Sequence, residues 1–415
     1  MKKLIEHSWI LLCFACTIAM AQNRQRKVVF IIADGIPADV VERVNTPDLD
    51  LIAKEGKYMR AYVGGEKDTY SETPTISAIG YNSLLTGTWA NKHNVCDNDI
   101  KEPNYNYWNI FRLFKNQYQN KKTAVYSSWT DNRTKLFGDR LAEAGNIYPD
   151  YHADGYELDT INFPHDKQRD FMHKIDEAVT DAASAGIRKN SPDLSWVYLE
   201  YTDDIGHMYG DSKKFYDAVA LMDKQLGGIW NAVQYRKERF NEDWLIFITT
   251  DHGRDEQTGK GHGGQSPRQR STWIVTNYPD LNNYAKYYQP AIVDIMPAIA
   301  HFMNINIPRE RMQEIDGIPL IGKVSVAQLQ LNYFQDKLDI SWKALDEGGK
   351  VKIWVSTTNT FKEGKRDNYQ LMAEVLVNNE HTVLDVSKAR SPFYKVVAEG
   401  PFNSVSKWYV EEKKK

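Results

Sequence analysis

An α/β fold with a mostly parallel sheet, helices on both faces and a small C-terminal β-sandwich is what this 415-residue sequence predicts. Three observations carry that expectation. Short apolar, β-branched runs end in polar or glycine-rich segments, and helical patterns lie between them. Beyond about residue 335 the texture changes to short alternating runs separated by turns.

The first element lies outside the fold. Lys2 and Lys3 precede the apolar run WILLCFACTIA, and Ala19-Met20-Ala21 puts small residues at the cleavage positions. Residues 1–21 are therefore expected to be a secretory signal. The apolar run is too short to span a bilayer in the mature chain. A lipid anchor at Cys16 is the alternative, and Cys13-Phe14-Ala15 before it suits one poorly. With Cys13 and Cys16 in the signal, only Cys96 remains, so neither a disulfide nor a cysteine metal cluster is expected. Export without disulfides fits a bacterial periplasm or surface, or secretion.

KVVFIIADG (27–35) reads as a buried strand, and TPDLDLIAKEG as a helix with Thr46 as cap and Pro47 at its first position. TAVYSSW (123–129), LSWVYLEYTDD (194–204), DWLIFITTDHG (243–253) and STWIVTN (271–277) read as further buried parallel strands. Residues 213–238 form a long helical pattern. This α/β domain is expected over residues 22–330. Ligands of such sheets bind beyond the carboxyl ends of the strands. Three of these runs lead into Asp34, Asp203 and the pair Asp251-His252.

Residues 335–415 contain LDISWKAL, KVKIWVSTTN, YQLMAEVLV, HTVLDVS, FYKVVAEG and SKWYVEE, a β-sandwich pattern that resembles a fibronectin type III module. Trp342, Trp354 and Tyr394 are its expected core. The segment carries no candidate ligand, so it is expected to be dispensable for chemistry.

Hydrophobic content of 42% and charged content of 26% are ordinary. A net charge of -3 gives no basic footprint for a nucleic-acid polymer. The 24 Tyr and 11 Trp could stack on sugars or bases, although packing is their commoner use.

The chemistry concentrates in five segments. DDIGH sets Asp203 and His207 four residues apart, so one helical turn brings both to the same side. TTDHG supplies Asp251 and His252, and GKGHGG sets His262 among glycines that allow close backbone approach. Asp34 and Ser77 complete the order Asp, Ser, Asp, His, Asp, His, His, which suits a two-metal hydrolase. Imidazole with carboxylate favours zinc.

This set resembles the alkaline phosphatase superfamily, and within it the type I phosphodiesterase/nucleotide pyrophosphatase branch, over residues 27–325. In that family the first strand ends in a metal-binding Asp, which Asp34 matches. Its nucleophilic Thr or Ser lies nine residues before a Thr-Gly, and counting back from Thr86-Gly87 gives Ser77. A phosphate-binding Asn follows the nucleophile by 21 residues, and that position is Asn98. The resemblance implies two zinc ions, one on Asp203, His207 and His262, the other on Asp34, Asp251, His252 and the Ser77 oxygen. It also implies a phosphoseryl intermediate, with Asn98 donating to a phosphoryl oxygen. Ser77 stands where a turn becomes a helix, and helix N–H groups favour a phosphoryl oxygen there. Thr75 is a competing hydroxyl but breaks both offsets. Sulfatase relatives form their cofactor from a Cys or Ser followed by Pro and Arg at fixed spacing. Residues 71–80 contain no Arg, which excludes that chemistry.

The expected substrate is a small phosphodiester or nucleotide pyrophosphate. A phosphomonoesterase of the same fold is one alternative, and an inactive glycan-binding surface protein is another. In SSWTDNRTK, Trp129 suits a stacking wall, whereas Arg133 or Lys135 would meet a monoester dianion. The lack of a tight Lys-x-Arg pair favours the diester. His93 and His165 are weaker candidates, and His152, His173, His301 and His381 read as surface or packing residues.

Overall fold

The computed structural model describes residues 24–346 and 348–411. The expected signal segment, with Cys13 and Cys16, lies outside the described residues. Strands β1 (Gln25–Ala33), β2 (Lys57–Tyr62), β3 (Thr123–Ser127), β4 (Tyr151–Ala153), β5 (Leu194–Leu199), β6 (Glu242–Thr249) and β7 (Ser271–Thr276) form one sheet. Its order is β2-β7-β6-β1-β5-β3-β4. β1 is central and parallel to both β5 and β6, and β3 is parallel to β5 and β4.

Strand periodicity explains the layers. Val28, Phe30 and Ile32 of β1 pack into one apolar cluster, while Val29, Ile31 and Ala33 pack into the other. The first face is covered by helices Ser77–Thr86, Ile110–Gln117 and Ile295–Phe302. Helices Pro47–Glu55, Asp170–Asn190 and Lys213–Arg239 cover the second. Among the described residues, no helix is long and apolar enough to cross a membrane.

Two local expectations need correction. β7 is antiparallel to β6 and β2, not parallel. A parallel return needs a crossover, usually helical. Residues 250–270 contain no helix, so the chain re-enters the sheet in the opposite direction. Thr46 occupies the N-cap position but its side chain makes no capping bond. The Asp223 carboxylate, from the Lys213–Arg239 helix, accepts from the N–H groups of Asp48 (3.1 Å) and Leu49 (2.8 Å) instead. Burial pushes Asp223 up to about 6.

The C-terminal part comprises β8 (Val326–Phe334), β9 (Lys337–Ala344), β10 (Lys350–Ser356), β11 (Gln370–Leu376), β12 (His381–Asp385), β13 (Phe393–Glu399) and β14 (Ser404–Val410). They form a four-stranded sheet, β11-β10-β13-β14, and a three-stranded sheet, β12-β9-β8. β8 thus starts ahead of the expected boundary at 335. Trp342 and Tyr394 are buried. Trp354 is only partly so, with the Arg309 guanidinium 4.0 Å from its ring centre.

The two parts share one core. Val326, Leu338, Trp342, Ile353 and Tyr394 belong to the same apolar cluster as Phe30, Leu84 and Met296. Lys395 is fully buried, 2.8 Å from Glu314 Oε2 and 2.6 Å from Asp367 Oδ2. Truncation near residue 330 would expose that core and leave Glu314 buried without its cation. The expected product is unfolded or aggregated protein, whatever the role of the segment in chemistry. A soluble fragment melting cooperatively at the wild-type Tm would contradict this.

Candidate metal centre

β1, β5 and β6 run side by side in one direction, so their carboxyl ends bring distant residues together. Asp34 directly follows β1, and Asp251 and His252 lie just beyond β6. β5 leads into helix Tyr201–Tyr209, which carries Asp203 and His207 one turn apart. His262 comes from the loop between β6 and β7. Ser77 is the first residue of its helix and is buried. That helix crosses close to Asp251: a Cβ on Gly80 would lie 2.8 Å from both the Cβ and the carbonyl oxygen of Asp251.

The candidate ligand atoms fall into two overlapping groups. Asp203, His207 and His262 form one, and Asp34, Asp203 and His252 form the other. His262 Nε2 lies 3.1 Å from His207 Nε2, and Asp203 Oδ2 lies 3.2 Å from His207 Nε2. His252 Nε2 lies 3.3 Å from Asp34 Oδ1, 3.4 Å from Asp251 Oδ2 and 3.9 Å from Asp203 Oδ1. Ser77 Oγ is 3.3 Å from the same nitrogen. Asp203 therefore joins both groups. Asp251 stands beside the second group while its Oδ1 accepts from the Gly35 N–H.

The surroundings fit a cation. Asp34 Oδ1 and Asp251 Oδ2 are buried with no hydrogen-bond partner, an arrangement that is costly unless a positive charge faces them. His252 Nδ1 donates to the Gly253 carbonyl (2.9 Å) and His262 Nδ1 to the Thr75 carbonyl (2.9 Å). Both Nε2 atoms are thereby turned inward, the orientation that metal-ligating imidazoles require. Burial and the Asp34 charge push the Asp251 carboxyl well above its usual range. Burial would lower His252, but Asp251 and Asp34 push it up to about 9. Burial, with the His252 charge, pushes His262 down to about 4. Burial would also raise Asp203, yet Arg254 and the bond from His207 hold it well below the carboxylate range.

Four supporting residues were not singled out in the sequence. Arg254 is wholly buried and donates to the Asp203 carboxylate, to the carbonyls of Asp203 (2.9 Å) and Gly35 (2.9 Å), and to Lys260 O (3.0 Å). Gly35, with φ +69°, makes room: a Cβ there would lie 2.5 Å from Asp203 Oδ1. Tyr198 (2.7 Å) and Tyr81 donate to Asp34 Oδ2. Burial holds both phenols well above their ordinary value, so they remain donors. Tyr81 lies one turn after Ser77 on the same helix, a spacing that could have flagged it.

Asn98 Oδ1 accepts from the Ala78 N–H at 3.0 Å, leaving its amide hydrogens for another acceptor. The Thr75 hydroxyl is already engaged, donating to Gly264 O (2.9 Å) and accepting from Gly263 N–H (2.9 Å). Trp129 meets Tyr81 edge-on at 6.3 Å. Arg133 is ion-paired to Asp154 (2.6 Å) and Asp139 (2.5 Å), and Lys135 to Asp131 (2.8 Å). His93 is buried between Ser83 Oγ and the Val95 N–H, and His165 stacks on Phe171.

The architecture matches a known class. A structure described as a protein in the alkaline phosphatase superfamily from Vibrio parahaemolyticus superposes with a TM-score of 0.50 at 14% identity, covering 78% of each chain. The fold is of that superfamily's type. A profile of the family described as Type I phosphodiesterase / nucleotide pyrophosphatase matches residues 28–267. The chain belongs to that family. It is 24% identical over 268 residues to mouse (Mus musculus) ectonucleotide pyrophosphatase/phosphodiesterase family member 7, covering 60% of this chain and 55% of that protein. It is also 24% identical over 255 residues to venom phosphodiesterase CdcPDE of Crotalus durissus collilineatus, covering 56% and 26%. The chain spans about half or less of the length of these relatives.

Proposed function

We propose that this protein is an exported, two-zinc hydrolase of phosphodiester or nucleotide pyrophosphate bonds, acting through a phosphoseryl intermediate at Ser77. The observation that carries this reading is the convergence of Ser77 Oγ, His252 and Asp34 beside two unpartnered buried carboxylate oxygens. Asp203, His207 and His262 would hold one ion; Asp34, Asp251, His252 and Ser77 would hold the other. When bound, zinc supplies a depressed hydroxyl pKa, charge neutralisation and activated water. Ser77 Oγ forms a bond to phosphorus as the bond to the leaving oxygen breaks; water then cleaves the Oγ–P bond and restores the hydroxyl. The free amide hydrogens of Asn98 hold a nonbridging oxygen. Arg254 and the two tyrosines fix the carboxylates and exclude alternative rotamers.

Charge pairing supports the diester. Arg133 and Lys135 are each matched by carboxylates, so neither offers a free charge to a monoester dianion. Trp129 instead offers an apolar wall. Burying ~80 Å² of an ester substituent there would be worth ~2 kcal/mol, or roughly thirtyfold in specificity. Parallel assays of a nitrophenyl diester, a nitrophenyl monoester and a nucleotide pyrophosphate test this. The expected result is a higher kcat/KM for the diester than the monoester, narrowing in Trp129→Ala. A wild-type preference for the monoester would overturn the assignment.

A further inference from the structure

Away from the metal centre, a cleft of about 830 Å³ opens between the β2 edge of the large sheet and strands β8 and β14. It is lined by none of the candidate site residues, and its size is typical of a ligand site. Part of its wall is aromatic. Tyr62 stacks on Trp89 at 6.1 Å, and Tyr284 stacks on Tyr288 at 5.9 Å. Tyr287 stands 77% exposed at the same cleft.

Its uncharged polar groups include three amides. Gln289, Gln328 and Gln330 line it. Gln328 adopts φ +53° where the β8–β9 register shifts, a costly conformation for a non-glycine residue. The Ser406 hydroxyl, also in the lining, is buried without a partner. The charged groups are largely matched internally. Arg60 pairs with Glu42, Lys407 with Glu66 (2.7 Å), and Asp316 with Lys92 (2.6 Å). Arg270 donates to the carbonyls of Gly64 (3.1 Å) and Gly65 (2.6 Å).

We infer that this cleft binds a neutral oligosaccharide. Pyranose rings present apolar C–H faces that lie against aromatic rings. Their hydroxyls both donate and accept, as do glutamine amides and tyrosine hydroxyls. An anionic ligand would find Arg60 and Lys407 already facing carboxylates, and the donors of Arg270 taken up by the Gly64 and Gly65 carbonyls. A lipid chain would bury the amides unpaired, at a cost. The inference does not depend on the reading of the metal centre.

The test is titration calorimetry of the full chain with cellohexaose, maltohexaose, chitohexaose, xylohexaose and mannohexaose. At least one should bind, and Tyr287→Ala and Gln330→Ala should each weaken it by about tenfold. Turnover of a small aryl phosphodiester, and the thermal melt, should stay at wild-type values in both variants. Failure of the whole panel to bind overturns the inference. So does binding that both variants leave unchanged.

Discussion

Ser77→Ala is expected to lower kcat toward an aryl phosphodiester by about a thousandfold or more, with metal content preserved. The loss follows from removing the atom that makes the first attack on phosphorus in the proposed mechanism. Retention of metal follows because the carboxylate and imidazole ligands remain, with Nε2 of His252 and His262 still oriented by Gly253 and Thr75 carbonyls. Thr75→Ala should behave differently. It removes the bridge between Gly263 N–H and Gly264 O, and so loosens the loop that carries His262. Rate measurements with metal analysis of both variants separate the roles. If Ser77→Ala turns over at the wild-type rate while Thr75→Ala does not, the nucleophile is misassigned.

Chelation should be the second large effect. Elemental analysis of active protein is expected to show about two zinc ions per chain, and their removal should abolish turnover until zinc is restored. Stability should fall too. Asp34, Asp203 and Asp251 converge in a buried space, and without cations Asp251 and His252 take on protons to relieve the crowding. An ion present at about a thousandfold its Kd stabilises by about 4 kcal/mol. Its loss should therefore lower Tm by roughly 5 °C or more. Full activity after exhaustive chelation, with no metal found, would remove the basis for the proposed chemistry.

Much of this candidate site could be read in the sequence because its candidate ligands sit at predictable places. A β-branched run ending in Asp34, another ending in TTDHG, and Asp203 with His207 four apart all follow from local periodicity. His262, set among glycines, stood out only when taken together with the other ligand segments. What was not legible depends on contacts made across the chain. Arg254 looks like any arginine after a turn until the Gly35 and Asp203 carbonyls surround it. Asp223 caps a helix 175 residues away at its Asp48 N–H, so the local Thr46 signal misled. β7 has the composition of a buried strand, but composition does not encode direction. The missing crossover helix was the available clue. Trp354 alternates like a core residue, yet lies against Arg309, which local pattern cannot show.

Because a single apolar core runs from Phe30 to Tyr394, the chain cannot be shuffled at residue 335 like beads on a string. A recombinant joined there to a foreign sandwich would inherit Glu314 without Lys395, and half of a packed interior without its complement. Heritable change on either side of that joint is therefore coupled. The α/β layer and its sandwich therefore have to be moved together to keep that core whole.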